Sequence, residues 1–135
     1  MTDQKLDITI IAKAHARVRE AASAANDDAR IADSAAKAAY VASGDAYVAL
    51  NAARAAYSEI LNKVVNSDIP YNSNEARNVY EEYVAAQGIY DSKHSDACAA
   101  NEVAKTAAEM AIKAMKTLEA AINAHADALN THTAS

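Results

Sequence analysis

The stretch Asn66-Ser-Asp-Ile-Pro-Tyr-Asn-Ser-Asn74 is the strongest break in a chain that otherwise contains few turn formers. Its proline cannot continue a helix, and its Asn, Asp and Ser side chains favour turns because they hydrogen-bond to nearby backbone groups. Asn72 followed by Glu75 has the form of a capping box, with Asn72 in place of the usual Ser or Thr. We therefore expect a turn over residues 67–74 that joins two long arms.

Alanine dominates both arms. The 135 residues include 37 Ala but only 22 Val, Ile and Leu together, with no Phe, no Trp, one Pro and two Gly. Ala is the strongest intrinsic helix former because its side chain loses no rotamer freedom in a helix. The composition predicts an all-α chain that forms a single domain over residues 1–135, with one arm at about 3–66 and the other at about 75–131.

Small apolar residues recur along both arms in alternating steps of three and four, the spacing of one helix face. In the second arm this row is Ala76, Val79, Tyr83, Ala86, Tyr90, Lys93, Ala97, Ala100, Ala104, Ala107, Ala111, Ala114, Leu118, Ala121, His125 and Ala128. In the first arm it is Ala29, Ala32, Ala36, Ala39, Ser43, Ala46, Leu50, Ala53, Tyr57, Ile60 and Val64. Nearer the N-terminus the row of the first arm continues after one extra four-residue step, a stutter that would locally unwind a supercoil. Its members there are Ile11, Ala14, Val18, Ala21 and Ala25.

Folding the arms about Pro70 pairs residues whose numbers sum to about 140. Bulky side chains near the N-terminus then face bulky side chains near the C-terminus, and alanine faces alanine between them. This match predicts a long antiparallel, Ala-rich, coiled-coil-like helical hairpin. The alternative is a compact monomeric three- or four-helix bundle, which requires helix breaks at some of three places: residues 26–28, residues 43–45 around Gly44, and residues 90–96.

A hairpin this thin cannot cover apolar rows that are wider than one seam. Exposed apolar strips of that kind mark interaction surfaces. We therefore expect copies of the chain to assemble into a four-helix or larger bundle.

The charge pattern and the single thiol limit the classes of partner and compartment. The net charge is −5 and the 13 Lys and Arg are scattered, which argues against a nucleic-acid partner. No apolar run approaches the roughly 18 residues of a membrane span. Cys98 is the only cysteine, as is typical of a reducing compartment, so we expect a cytoplasmic protein without a membrane partner.

Candidate catalytic and metal-binding residues are few, and we predict no enzyme, no cofactor and no metal site. Cys98 and His94 have the spacing of a nucleophile and its base, but a buried small side chain is the better interpretation of Cys98. His94 and Asp91 share a helix face without further ligands in a metal-binding pattern. His125 and His132 lie seven apart near the C-terminus, which indicates either capping and fraying of the helix end or a pH-sensitive interface.

The tyrosines carry the strongest functional signal. All seven lie between residues 40 and 90, in the half of a hairpin nearest the turn: Tyr40, Tyr47, Tyr57, Tyr71, Tyr80, Tyr83 and Tyr90. Tyr offers a large contact area at low entropic cost and is enriched at interfaces. We predict that this set is a protein-interaction surface, with core filling as the alternative.

These observations predict a non-catalytic helical assembly and interaction protein that contacts copies of itself and another protein. Two alternatives stay open. One is a phage- or virus-encoded inhibitor that binds a host protein. The other is a ligand- or metal-binding bundle built around His94, Cys98 and the tyrosines.

Overall fold

The protein is a pair of long helices. The structure, a computed structural model, describes the backbone of residues 2–134 and the side chains of residues 7–131. Helix α1 spans Thr2–Val65, helix α2 spans Asn74–Ala134, and the described residues contain no strand. Contacts between α1 and α2 pair residues in antiparallel order, which confirms the predicted helical hairpin.

Both helices run without interruption through the positions where a break was considered. Helix α1 passes residues 26–28 and Gly44, and helix α2 passes residues 90–96. The alternative of a compact three- or four-helix bundle is therefore wrong. The physical reason is that one Gly in a helix interior costs only about 0.5–1 kcal/mol relative to Ala, and the surrounding Ala-rich turns favour the helix.

The end of α1 is closed by two backbone hydrogen bonds that wrap around its last turn. The Asp68 amide donates to the Lys63 carbonyl at 2.9 Å, and the Ser67 amide donates to the Val64 carbonyl at 3.1 Å. This is the Schellman pattern, in which the residue after the helix cap adopts the left-handed conformation. Ser67 fills that position with a φ of 63°, where glycine is the usual residue.

The start of α2 is capped by Ser73. Its hydroxyl oxygen accepts a hydrogen bond from the Ala76 amide at 3.1 Å, and its carbonyl accepts one from the Arg77 amide at 3.1 Å. The capping box predicted at Asn72 is therefore wrong by one residue. Pro70 contributes to the shift, because its carbonyl accepts the Ser73 amide and holds Ser73 at the cap position.

The hairpin divides into two compact units, each containing a piece of both helices. The first unit combines α1 up to Ser34 with α2 from Glu102, and the second unit is Ala35–Asn101. In the second unit the buried and half-buried seam follows the predicted rows. Its members are Ala36, Ala39, Ser43, Ala46, Leu50, Ala53, Tyr57, Ile60 and Val64 from α1, and Ala76, Val79, Tyr83, Ala86, Tyr90, Ala97 and Ala100 from α2.

The first unit corrects the predicted row at its N-terminal end. Its seam consists of Ile8, Ile11, His15, Val18, Ala22, Ala25, Ala29 and Ala32 from α1, and Ala104, Ala107, Ala111, Ala114, Leu118, Ala121, His125 and Ala128 from α2. Ala14 and Ala21 are exposed, whereas His15 and Ala22 lie in the seam. The steps of three and four therefore continue without a stutter. The prediction failed because it chose the apolar Ala14 over the polar His15, which finds a polar partner across the seam.

Neither helix contains, over its described residues, a stretch long and apolar enough to cross a membrane.

Candidate protein-interaction surface

The seven tyrosines all belong to the second unit, but they occupy two kinds of position. Tyr57, Tyr83 and Tyr90 are half-buried in the seam. The other four are exposed, and they are Tyr40, Tyr47, Tyr71 and Tyr80. The exposed fraction reaches 76% at Tyr40 and 81% at Tyr71. Core filling and surface presentation, which the sequence offered as alternatives, therefore apply to different members of the set.

Tyr57 joins the two helices near the turn. Its ring stacks on that of Tyr83, with centroids 5.2 Å apart and an interplanar angle of 12°. The ring of Tyr80 meets Tyr57 from the side at 5.5 Å and 50°. Offset and tilted ring pairs of this kind contribute about 0.5–1.5 kcal/mol beyond their burial. The cluster therefore holds Tyr80 in a defined position while leaving half of its surface exposed.

A second aromatic contact lies farther from the turn. Tyr47 on α1 packs on Tyr90 of α2 with ring centroids 5.6 Å apart, and His94 also stacks on Tyr90, with centroids 5.6 Å apart. His94 is exposed, as expected for a surface histidine. The contacts of Tyr90 with Tyr47 and with His94 restrict the rotamers of these rings. Side chains that are already restricted lose less conformational entropy when a surface is covered.

An apolar groove of about 650 Å³ opens beside the first aromatic cluster. Its lining includes Leu61, Tyr71 and Tyr80, with Arg77 at its polar side. Arg77 donates a hydrogen bond to the side-chain oxygen of Asn74 at 2.7 Å, which orients its guanidinium. The groove combines aromatic rings, aliphatic side chains and an arginine, the residue types that are enriched at interface cores.

The opposite flank of the second unit is lined by alanines. Ala49 and Ala56 are exposed on α1 at seven-residue spacing, and Ile89 is exposed on α2. Lys63 and Glu75 continue the same two rows, and their side chains approach to 4.0 Å. That contact places both rows on one side of the seam. We call this strip the alanine flank, and it consists of Ala42, Ala49, Ala56 and Ile89; the exposed Glu82 and Asp96 lie on either side of Ile89 in the α2 row.

The other candidate residues include Cys98 and His94, which the structure brings into contact. Cys98 is exposed, so the prediction of a buried small side chain is wrong. It lies on the outer side of α2, where its sulfur is 3.8 Å from His94 Nε2. Among the residues that the structure describes, no group of three or more His, Cys, Asp and Glu could hold a metal ion. The side chain of His132 lies outside the described residues.

One contact in the first unit, between His15 and His125, does not follow from the apolar rows of the sequence. Their Nδ1 atoms are 2.9 Å apart, and their rings meet edge to face at 5.2 Å. A signal was available, because the two residue numbers sum to 140, the register expected for the hairpin. The contact was overlooked because His15 had been left out of the seam.

Comparison with known proteins adds no relative: no protein family, no curated protein and no solved structure matches this chain.

Proposed function

We propose that this protein is a non-catalytic helical assembly protein, acting in the cytoplasm, that associates with copies of itself and presents its tyrosines to another protein. One observation carries the proposal, the large surface area that the single chain leaves exposed.

The exposed area is larger than a compact monomer of this size would have. A folded monomer of 14.2 kDa exposes about 6,800 Å². This chain exposes 9612 Å², which is more by about 2,800 Å². Stable interfaces cover roughly 800 Å² per partner, and obligate ones reach roughly 1,000–2,500 Å² per partner. The excess is therefore larger than a standard interface and slightly above the range quoted for one partner of an obligate oligomer.

The distribution of apolar side chains supports the same proposal. Within the described part of the chain, the buried hydrophobic residues are Ala22, Ala46, Leu50, Ile60, Ala76 and Ala111. Four of these six are alanines, which bury little area. Many larger apolar side chains are exposed instead, among them Ile31, Val48, Ile89, Val103 and Met110. Covering them would supply hydrophobic free energy of about 25 cal/mol per Å².

We assign self-association to the alanine flank. Small side chains let helix axes approach to the short end of the usual 8–10 Å range, so a second copy can pack closely against Ala42, Ala49 and Ala56. Ile89 projects beside them with 56% of its surface exposed. In a symmetric dimer the Ile89 side chain of each copy would lie against the alanines of the other.

Light scattering of the wild-type chain and two charged variants tests this assignment. Ile89→Asp places a carboxylate on the alanine flank and should yield monomers, because a buried unpaired charge opposes association. Val48→Asp is the matched control: Val48 is an exposed β-branched residue outside the alanine flank, and the variant should keep the wild-type mass. A monomeric wild type at micromolar concentration would refute self-association. Equal masses for both variants would refute the assignment of self-association to the alanine flank.

A second partner is favoured by the exposed tyrosines. Tyr40 and Tyr71 expose most of their rings, and Tyr80 is held by Tyr57 beside the apolar groove. Pre-positioned aromatic rings are typical of interface hot spots. In co-precipitation from the source lysate, a Tyr40→Ala, Tyr80→Ala variant should lose a partner that the wild type and Val48→Asp retain. Retention of every partner by the double variant, with helicity unchanged, would refute this part of the proposal.

A further inference from the structure

Two histidines interrupt the apolar seam of the first unit at the same level. The other seam residues of that unit are Ala, Val, Ile or Leu, whereas His15 and His125 face each other from opposite helices. The two residues are separated by 110 positions in the chain, so only the folded hairpin brings them together. Both side chains are half-buried, which leaves one side of the pair open to solvent.

The contact joins two atoms of the same type, Nδ1 of each ring, at 2.9 Å. In a neutral imidazole one ring nitrogen carries a proton and the other carries a lone pair. The contact is a hydrogen bond only when one Nδ1 is protonated and the other is not. When both rings carry their proton on Nε2, both Nδ1 atoms have a free lone pair, and a cation that accepts both lone pairs would relieve their repulsion.

The spacing of the two nitrogens fits a shared metal ion. Imidazole nitrogen binds Zn²⁺ at about 2.0–2.1 Å. Two nitrogens on one ion are then roughly 2.9 Å apart at a right angle and roughly 3.4 Å apart in a tetrahedron. The observed 2.9 Å corresponds to adjacent positions of a square-planar or octahedral ion. No change of helix position is needed to bring the ligands together.

We propose that His15 and His125 form a binding site for a divalent transition-metal ion that prefers imidazole, with Cu²⁺ favoured over Ni²⁺ and Zn²⁺. Cu²⁺ favours tetragonal coordination and stands highest of the three in general affinity. The pair should not bind Mg²⁺ or Ca²⁺, because these ions prefer oxygen ligands.

The surroundings define an open site with two protein ligands. Among the described residues no third His, Cys, Asp or Glu side chain joins the pair in a metal-binding group, so the proposed site has two protein ligands from these residues. The residues one turn away along the seam are apolar, with Ile11 and Val18 on α1 and Ala121 and Ala128 on α2. Such an environment limits water access from within the seam. The ion would stabilise the pairing of the two helices, because the unfolded chain does not hold the two rings together.

Titration of untagged protein with CuCl₂ tests the site. We expect one ion per chain by calorimetry. At a concentration ten times the Kd, the ion should shift the folding equilibrium about 11-fold and raise the thermal midpoint by about 5 °C. MgCl₂ at the same concentration should leave the midpoint unchanged. Electron paramagnetic resonance of the Cu²⁺ complex should show two coordinated imidazole nitrogens.

Single histidine variants locate the ligands. His15→Ala and His125→Ala introduce the residue that the seam uses elsewhere, and each should abolish the Cu²⁺-dependent rise in midpoint. His94→Ala removes an exposed histidine of the second unit and should retain it. A wild-type midpoint that does not respond to Cu²⁺, or an equal response in His15→Ala, would overturn the proposal. If a variant fails to fold, the electron paramagnetic resonance spectrum of the wild-type Cu²⁺ complex still tests the site. A spectrum without coordinated imidazole nitrogens would overturn the proposal.

Discussion

The two compact units use the same helical spacing but fill their seams with different side chains. The second unit buries Leu50 and Ile60 and stacks Tyr57 on Tyr83. The first unit relies on small residues such as Ala22, supplemented by the contact between two histidines. Steps of three and four therefore suffice to pair two helices, while the side-chain volume at those steps decides how strongly the pair is held. We expect the second unit to contribute more of the free energy of folding, since larger side chains remove more apolar area from water.

The largest expected effect comes from Leu50, which has 1% of its surface exposed and is the largest fully buried side chain among the described residues. Leu50→Ala should lower the free energy of unfolding by about 2–5 kcal/mol, because it removes apolar contacts and leaves a cavity. Denaturation by urea, followed by circular dichroism at fixed protein concentration, measures the change. The exposed Val48 provides the control: Val48→Ala should change stability by less than about 0.5 kcal/mol. Similar losses in both variants would contradict the tight packing of Leu50 in the seam of the second unit.

A smaller loss is expected from overpacking the first unit. Ala22 has 1% of its surface exposed, so its seam position has no space for a larger side chain. Ala22→Leu should therefore destabilise the protein by about 1–3 kcal/mol, even though Leu is a good helix former. Hydrogen exchange should accelerate within the first unit more than in the second. Ala16→Leu, at an exposed position of the same helix, should be close to neutral. A stabilised Ala22→Leu protein would show that the first unit is loosely packed.

These comparisons also show which features the sequence could predict. The hairpin and most seam residues could be predicted from the spacing of the apolar residues, because an α-helix repeats every 3.6 residues and the abundant alanines favour helix along both arms. Tyr57, Tyr83 and Tyr90 were placed in the seam for the same reason. His15 was missed because a polar residue at a seam position is acceptable only with a partner, and that partner is 110 residues away. The exposure of Cys98, in contrast, follows from the predicted row, because the seam positions there are Ala97 and Ala100.

An effect on stability of intermediate size is expected at the N-terminal cap of α2. Ser73→Ala removes the hydroxyl that accepts the Ala76 amide and should cost about 1 kcal/mol. Urea denaturation measures this loss. Asn72→Ala distinguishes the observed cap from the one that the sequence suggested, and we expect it to have the smaller effect of the two. A larger loss for Asn72→Ala would restore the predicted capping box.

The smallest expected effect is a gain of stability within the second unit, at Gly44. A Cβ built at Gly44 meets nothing within 4 Å, and the helix is continuous there, so Ala fits without strain. Gly44→Ala should raise the free energy of unfolding by about 0.5–1 kcal/mol, because it reduces the conformational entropy of the unfolded chain. The same variant also tests the interface proposed for the alanine flank, through its mass in solution. Gly44 lies outside that flank, so the variant should keep the wild-type mass in light scattering while its thermal midpoint rises. A fall in mass would mean that a second copy packs against the glycine itself, and the assembly surface would then have to include it.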